Sequence, residues 1–137
     1  MPLRIPNAGE TTALSIMVGK TAVENLRLRL FTNNVTPSDT DVPATYTEAS
    51  GNGYANVLLT AANWVITAGD PASAAYPEIT FTFTGALGNV YGYYITGETS
   101  TVVRWAERFT TSPFDVQANG DQIKITPILT LKDGLDA

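Results

Sequence analysis

"EITFTFTGALGNVYGYYITGETSTVVRWAERF", residues 78–109, carries the architecture of this chain. In its first part Ile79, Phe81 and Phe83 alternate with Thr80, Thr82 and Thr84. That period of two is the pattern of a strand buried on one face and wet on the other. "ALGN" reads as a turn, and "VYGYYIT" (90–96) and "TVVRWAERF" (101–109) read as two more strands joined through "GETS". In the first of these, Tyr91, Tyr93 and Ile95 share one face, and Val90, Gly92, Tyr94 and Thr96 share the other. In the second, Val103, Trp105, Glu107 and Phe109 oppose Val102, Arg104, Ala106 and Arg108. Gly92 leaves room for close approach of a neighbouring backbone or ring.

Outward from this hairpin the same period recurs. In "ENLRLRLFTNN", Leu26, Leu28 and Leu30 alternate with Arg27 and Arg29, as in a half-buried strand. "YANVLL" and "WVIT" are short strands around a turn at Ala61–Asn63. Asn119-Gly120-Asp121 is a strong turn signal. "IKITPILTL" follows as a last strand, in which Pro127 implies an edge or a bulge. "NNVTPSDTDVPATYTEASGNG", with Pro37 and Pro43, is a long polar loop, and "GDPASAAYP" is a turn-rich link. Loops this long in a compact domain usually serve function or an interface. About eight short strands, with turns every eight to twelve residues or so, predict an all-β sandwich or barrel.

One helix is expected, in "NAGETTALSIMVGK". Asn7 is placed to cap it, with Glu10 three residues on. Ala13, Leu14, Met17 and Val18 form the apolar stripe by which it would dock, and Gly19 is its stop. Residues 1–6 read as an extended arm and 132–137 as a tail, so that residues 1–137 make one domain.

Composition narrows the chemistry. The 137 residues include neither cysteine nor histidine. Thiolate catalysis, disulfides and any Ser-His or Cys-His pair are thereby removed. The net charge is −5, and only eight residues are basic, which argues against nucleic acid. No apolar run reaches the length of a membrane span, and no signal peptide is read at the N-terminus. With 15% charged residues, much of the surface must be small and polar. Contact cores in assemblies are depleted of charge in the same way.

The aromatic hairpin is the candidate binding face: Tyr91, Tyr93, Tyr94, Arg104, Trp105 and Arg108. Tyr, Trp and Arg are enriched at protein contacts, and a Tyr91/Tyr93/Trp105 face would also suit sugar stacking. The plainer reading is a strand pair with one face in the core, since Tyr and Trp are ordinary strand residues. Arg104 and Arg108 share a face, so one is expected to meet a carboxylate. Glu98 and Glu107 would be the carboxylate pair of a glycosidase, but Glu98 stands in a turn and no enzymatic function is expected. Asp39, Asp41 and Glu48 are oxygen ligands at loop spacing, yet they lack an EF-hand's glycine and full ligand count. A solvated acidic loop is the expectation there, with no metal and no cofactor. "GNG" at 51–53 and "GALG" at 85–88 are turns rather than phosphate cradles.

Taken in order, "NAGE", "NLRLRLFTNNVTP", "GYANVLL" followed by Trp64, "YPEITFTF", "VYGYYIT", "WAERF" and "SPFDVQANGDQIKITPILTL" make the chain familiar. From about Asn7 to Leu131 it resembles a family of small proteins encoded among the virion structural genes of tailed bacteriophages. In size and strand pattern it is also similar to capsid cement, or decoration, proteins with a jelly-roll fold. The resemblance implies a structural virion protein on the capsid surface, assembled in the host cytoplasm. It implies binding between major capsid protein subunits, as a dimer or trimer, without nucleic acid or membrane. A tail or tail-fibre module that binds host carbohydrate through the aromatic face is the alternative. The resemblance carries no catalytic residue over.

Overall fold

The computed structural model describes residues 3–132. The tail expected over 132–137 lies outside them, apart from Lys132, as do the first two residues of the arm. Among the described residues the chain forms one α-helix, α1 (Asn7–Met17), and eleven strands. These are β1 (Leu26–Phe31), β2 (Val57–Leu59), β3 (Val65–Thr67), β4 (Ala72–Ala75), β5 (Ile79–Thr82) and β6 (Gly88–Val90). They continue as β7 (Gly92–Gly97), β8 (Val103–Arg108), β9 (Phe114–Val116), β10 (Gln122–Ile125) and β11 (Ile128–Leu131). The protein is all-β and sandwich-like, as the alternation predicts, and every ladder is antiparallel.

One layer is a four-stranded sheet in the order β2-β1-β7-β8. Facing it are three small ladders, β10-β5, β11-β4-β3 and β6-β9. A jelly roll would have two sheets built from eight strands, so the winding is more fragmented than expected. The main core lies between the layers. Leu28, Leu30, Tyr93, Ile95 and Trp105 meet Ile79, Phe81, Phe83, Ile123 and Ile125 there. The alternation in "ITFT" is borne out, with Ile79 and Phe81 buried and Thr80 and Thr82 exposed. The turn at Asn119-Gly120-Asp121 also forms. Gly120 has φ 95° and its N–H donates to the Phe83 carbonyl, while Asp121 Oδ2 accepts from the Gln117 and Ala118 N–H groups.

A second, smaller core lies on the back of the large sheet. Phe31, Tyr46, Tyr94, Val103 and Ala106 build it. The long polar loop is its cover rather than a free arm. Tyr46 stacks on Tyr94 with ring centroids 4.7 Å apart. Asn33 holds the loop to itself, donating to the Thr45 carbonyl at 2.8 Å and accepting from the Thr47 N–H at 2.8 Å. The buried Asp41 carboxylate accepts from the Ser38 N–H, the Ser38 hydroxyl and the Tyr46 hydroxyl.

The termini of the expected elements differ from the pattern. Asn7 is the first helical residue, Pro6 occupies the cap, and no side chain caps the helix. Pro6 has no N–H to leave unpaired and is fully buried. The helix also docks by a different face. Leu14, Met17 and Val18 are 63%, 71% and 69% exposed, and Gly9 is the buried residue of α1. A Cβ at Gly9 would stand 2.5 Å from the Arg104 carbonyl oxygen, so the helix rests directly on the backbone of β8. The arm folds back as well: Arg4 and Ala106 exchange two backbone hydrogen bonds of 2.9 Å, which pairs the outer edge of β8.

Candidate functional site

The hairpin places the six expected contact residues in two groups on opposite faces of the large sheet. β7 pairs with β8 through Tyr93↔Glu107, Tyr94↔Ala106 and Ile95↔Trp105. The register then shifts, and Thr96 faces Val103. Arg104 is thereby the extra residue of a bulge, and Val103 joins the face of Tyr94 and Ala106 instead of that of Trp105. Without an alignment of both strands the bulge is invisible, because period two cannot show a one-residue slip.

Four of the six residues are not surface. Tyr93 is 3% exposed, and Tyr94, Trp105 and Arg104 are also buried. Tyr93 and Trp105 belong to the main core, where Trp105 meets Trp64 edge-on at 6.2 Å. Tyr94 belongs to the second core. The expected aromatic face is therefore two packing faces, because strands with cover on both sides leave no wet side. Tyr91 and Arg108 remain half-buried, with the guanidinium 5.0 Å above the ring. Arg108 also donates to the Ser112 hydroxyl, the Asn34 side chain and the Val35 carbonyl, tying the covering loop to the hairpin. Gly92 does what its size permits: a Cβ there would stand 2.3 Å from the Glu107 carbonyl oxygen and 2.7 Å from the Phe31 ring.

The buried hydroxyls raise their own titration. Burial, first, and the neighbouring carboxylates hold the Tyr46, Tyr54 and Tyr93 phenols well above the usual range. Tyr94 is pushed up to about 12, chiefly by burial. Tyr93 donates to Glu107 at 2.9 Å, and Tyr54 donates to Glu48 at 2.7 Å.

The candidate carboxylates are dispersed. Glu98 accepts from Asn25 at the turn end of the hairpin, whereas Glu107 is bonded to Tyr93. Five residues of strand separate Tyr93 from Glu98, roughly 17 Å at about 3.4 Å per residue, against the 5–9.5 Å or so of a glycosidase pair. Asp39 pairs with Arg4, Asp41 with Ser38 and Tyr46, and Glu48 with Arg29. Among the described residues no three carboxylates gather where they could hold a metal. Arg104 does find its carboxylate, although not across the hairpin. Its Nη2 donates to Glu24 Oε1 at 3.2 Å. Glu24 also accepts from the Thr99 hydroxyl and the Ser100 N–H, and these bonds, the hydroxyl first, lower its pKa.

Several large apolar residues outside the hairpin face outward. Leu14 and Met17 on α1, Val18 and Val23 beyond it, Val65 and Ile66 on β3, and Ile128 and Leu131 on β11 are all exposed. Between α1 and the β11-β4-β3 ladder runs a groove of about 430 Å³. Ala13, Ile16 and Val23 lie along it with Ile66 and Leu129. Ile66 and Leu129 also line a second hollow with Ala72, Ala74 and Leu131, so the apolar flank is continuous. The stripe at Leu14, Met17 and Val18 was legible as apolar; that it points away from the sheet was not.

Among the described residues no helix is long and apolar enough to cross a membrane. Comparison with protein-family models, with curated proteins and with solved structures finds no match.

Proposed function

We infer that this protein is a structural subunit of a tailed-phage virion: a capsid cement protein that binds between major capsid protein subunits. The observation that carries an assembly role is the apolar flank. Eight large apolar side chains on α1, β3, β11 and the segment after α1 stand exposed on elements that flank one groove. Of these, Val23 and Ile66 line the groove and Leu131 lines the hollow that adjoins it, and apolar patches of this kind mark protein contacts. The capsid as the place of that contact rests on the sequence resemblance. Copies of the chain itself, as a dimer or trimer, and the capsid subunit are the partners that such a flank would meet. Many modest contacts repeated over a lattice hold a shell together through effective concentration. The carbohydrate reading has no observation in its favour, since Tyr93 and Trp105 are in the core.

Quantitative mass spectrometry of purified particles tests this reading. A copy number close to that of the major capsid subunit is expected, together with loss of heat and low-salt resistance in particles lacking the protein. A few copies per particle would move it to the tail, and undiminished resistance would remove the cement role. A Met17→Glu/Ile66→Glu variant should stay folded and lose its binding to expanded shells.

A further inference from the structure

We propose that the outer edge of β3 is a homodimer contact, in which two copies pair their β3 strands antiparallel about a two-fold axis at Ile66. This contact rests on the reading of the flank as an assembly surface, and it names the copy and the way it is held. β3 ends the β11-β4-β3 ladder and is paired on its β4 side. Among the described residues no backbone hydrogen bond reaches its other side. Val65, Ile66 and Thr67 are all exposed, which holds for no other described strand. The N–H and C=O groups of such an edge are a template for another strand.

Proteins guard free edges with charges, prolines or cover, and several other edges of this chain are guarded in that way. Arg4 of the arm pairs with β8. β11 stands between Pro127 and Lys132, β10 carries Lys124, and β9 carries Asp115. β2 has no exposed residue. β3 has none of these guards. It is Val-Ile-Thr, three β-branched residues that favour strands, and no charged residue occurs from Thr60 to Gly69.

Charge and symmetry select a second copy as the occupant. At a net charge of −5 two copies repel one another, and an uncharged edge is where they meet at least cost. An antiparallel pair about a two-fold axis is self-complementary, since residue i meets j and j meets i. With Ile66 on the axis all three residues of β3 find partners: Ile66 meets the partner's Ile66, and Val65 meets the partner's Thr67. The two Asp70 carboxylates then lie at opposite ends of the pair, so no like charges face each other. Ile66, Ala74 and Leu129 stand in one row across the ladder. The contact doubles that row and joins two three-stranded ladders into a six-stranded sheet.

Sedimentation equilibrium of the whole chain tests the proposal, and a reversible monomer–dimer equilibrium is expected. Ile66→Lys sets two ammonium groups against each other across the axis and should weaken the dimer by at least about a hundredfold. Circular dichroism should stay unchanged, because Ile66 is 70% exposed. Ile66→Cys gives the chain its one thiol. Under oxidised glutathione it should join two copies covalently, since residues directly opposite stand about 4.5–5.5 Å apart at Cβ. Val42→Cys, at an exposed position on the covering loop, should not. A protein that is monomeric at about 0.1 mM overturns the proposal. So does a dimer that Ile66→Lys leaves intact, or cross-linking of Ile66→Cys no faster than that of Val42→Cys. Binding to expanded shells separates this contact from the cement reading. A dimer that leaves shells unbound keeps the contact and removes the cement role, and a monomer that binds them does the reverse.

Discussion

At the scale of single residues, two glycines set how closely elements approach. Gly9 lies in a helix, where alanine is favoured by about 1 kcal/mol. Its Cβ, however, would meet the Val103 and Arg104 carbonyls at 2.7 and 2.5 Å. Backbone oxygens in a paired strand cannot move aside, and overpacking costs about 1–3 kcal/mol. Gly9→Ala should therefore destabilise by about 1–2 kcal/mol in urea titration, despite the better helix former. Gly92→Ala gains no helix propensity and meets both backbone and ring; it should cost about 2–3 kcal/mol. Glu24, held first by the Thr99 hydroxyl, then by backbone N–H groups and by Arg104, predicts an acid response. The Glu24 pKa lies below its unfolded value of 4.5, so its contribution is present above that pH and is lost as pH falls through the depressed value. Glu24→Gln should flatten this part of the stability–pH curve, with urea midpoints as the readout.

At the scale of elements, α1 shows where periodicity stops informing. The stripe Ala13, Leu14, Met17 and Val18 has helical spacing, but a stripe does not name its partner. The small residue at Gly9 allows the close contact, and the larger apolar side chains are left outside. Were the stripe docked, replacing two of its residues would cost several kcal/mol, on the usual scale of about 2–5 each. On this structure Leu14→Lys/Met17→Lys should change stability by less than about 0.5 kcal/mol, as exposed positions do. Thermal unfolding distinguishes the two outcomes directly. Strands were legible where apolar and polar residues alternate, as in β1 and β5, or where aromatic and β-branched residues concentrate, as in β7 and β8. They were not where the residues carry little preference: β4 is Ala-Ser-Ala-Ala and β6 begins with Gly88, in segments read as turns. Pairing with β3, β11 and β9 makes these segments strands. Pro127 splits the expected last strand, so that β10 joins β5 and β11 joins β4. Its missing N–H ends one ladder, while its carbonyl accepts from Tyr76.

At the scale of the whole molecule, the distribution of titrating groups sets the stability profile. With no histidine or cysteine, no side chain of ordinary pKa titrates from about pH 6 to 8, and stability should be flat there. At alkaline pH the buried phenols act together. Their unfolded value is 10, and Tyr94 is pushed up to about 12 with Tyr46, Tyr54 and Tyr93 also raised. Above pH 10 the unfolded chain releases protons that the folded chain keeps, so stability falls as pH rises. Unfolding should coincide with a cooperative rise of tyrosinate absorbance; independent titration of each tyrosine in a folded protein would contradict this. The alternation of side chains by itself determined an all-β sandwich with one short helix, because strand period is local and each buried row must find a facing row. Composition likewise removed histidine and thiol chemistry. Only the tertiary structure decided that the aromatic hairpin is covered on both faces, that the loop is a lid on a second core, and that the apolar flank lies on α1, β3 and β11. Those outcomes depend on which distant segments meet, and the hydrophobic effect that drives the meeting has no direction of its own.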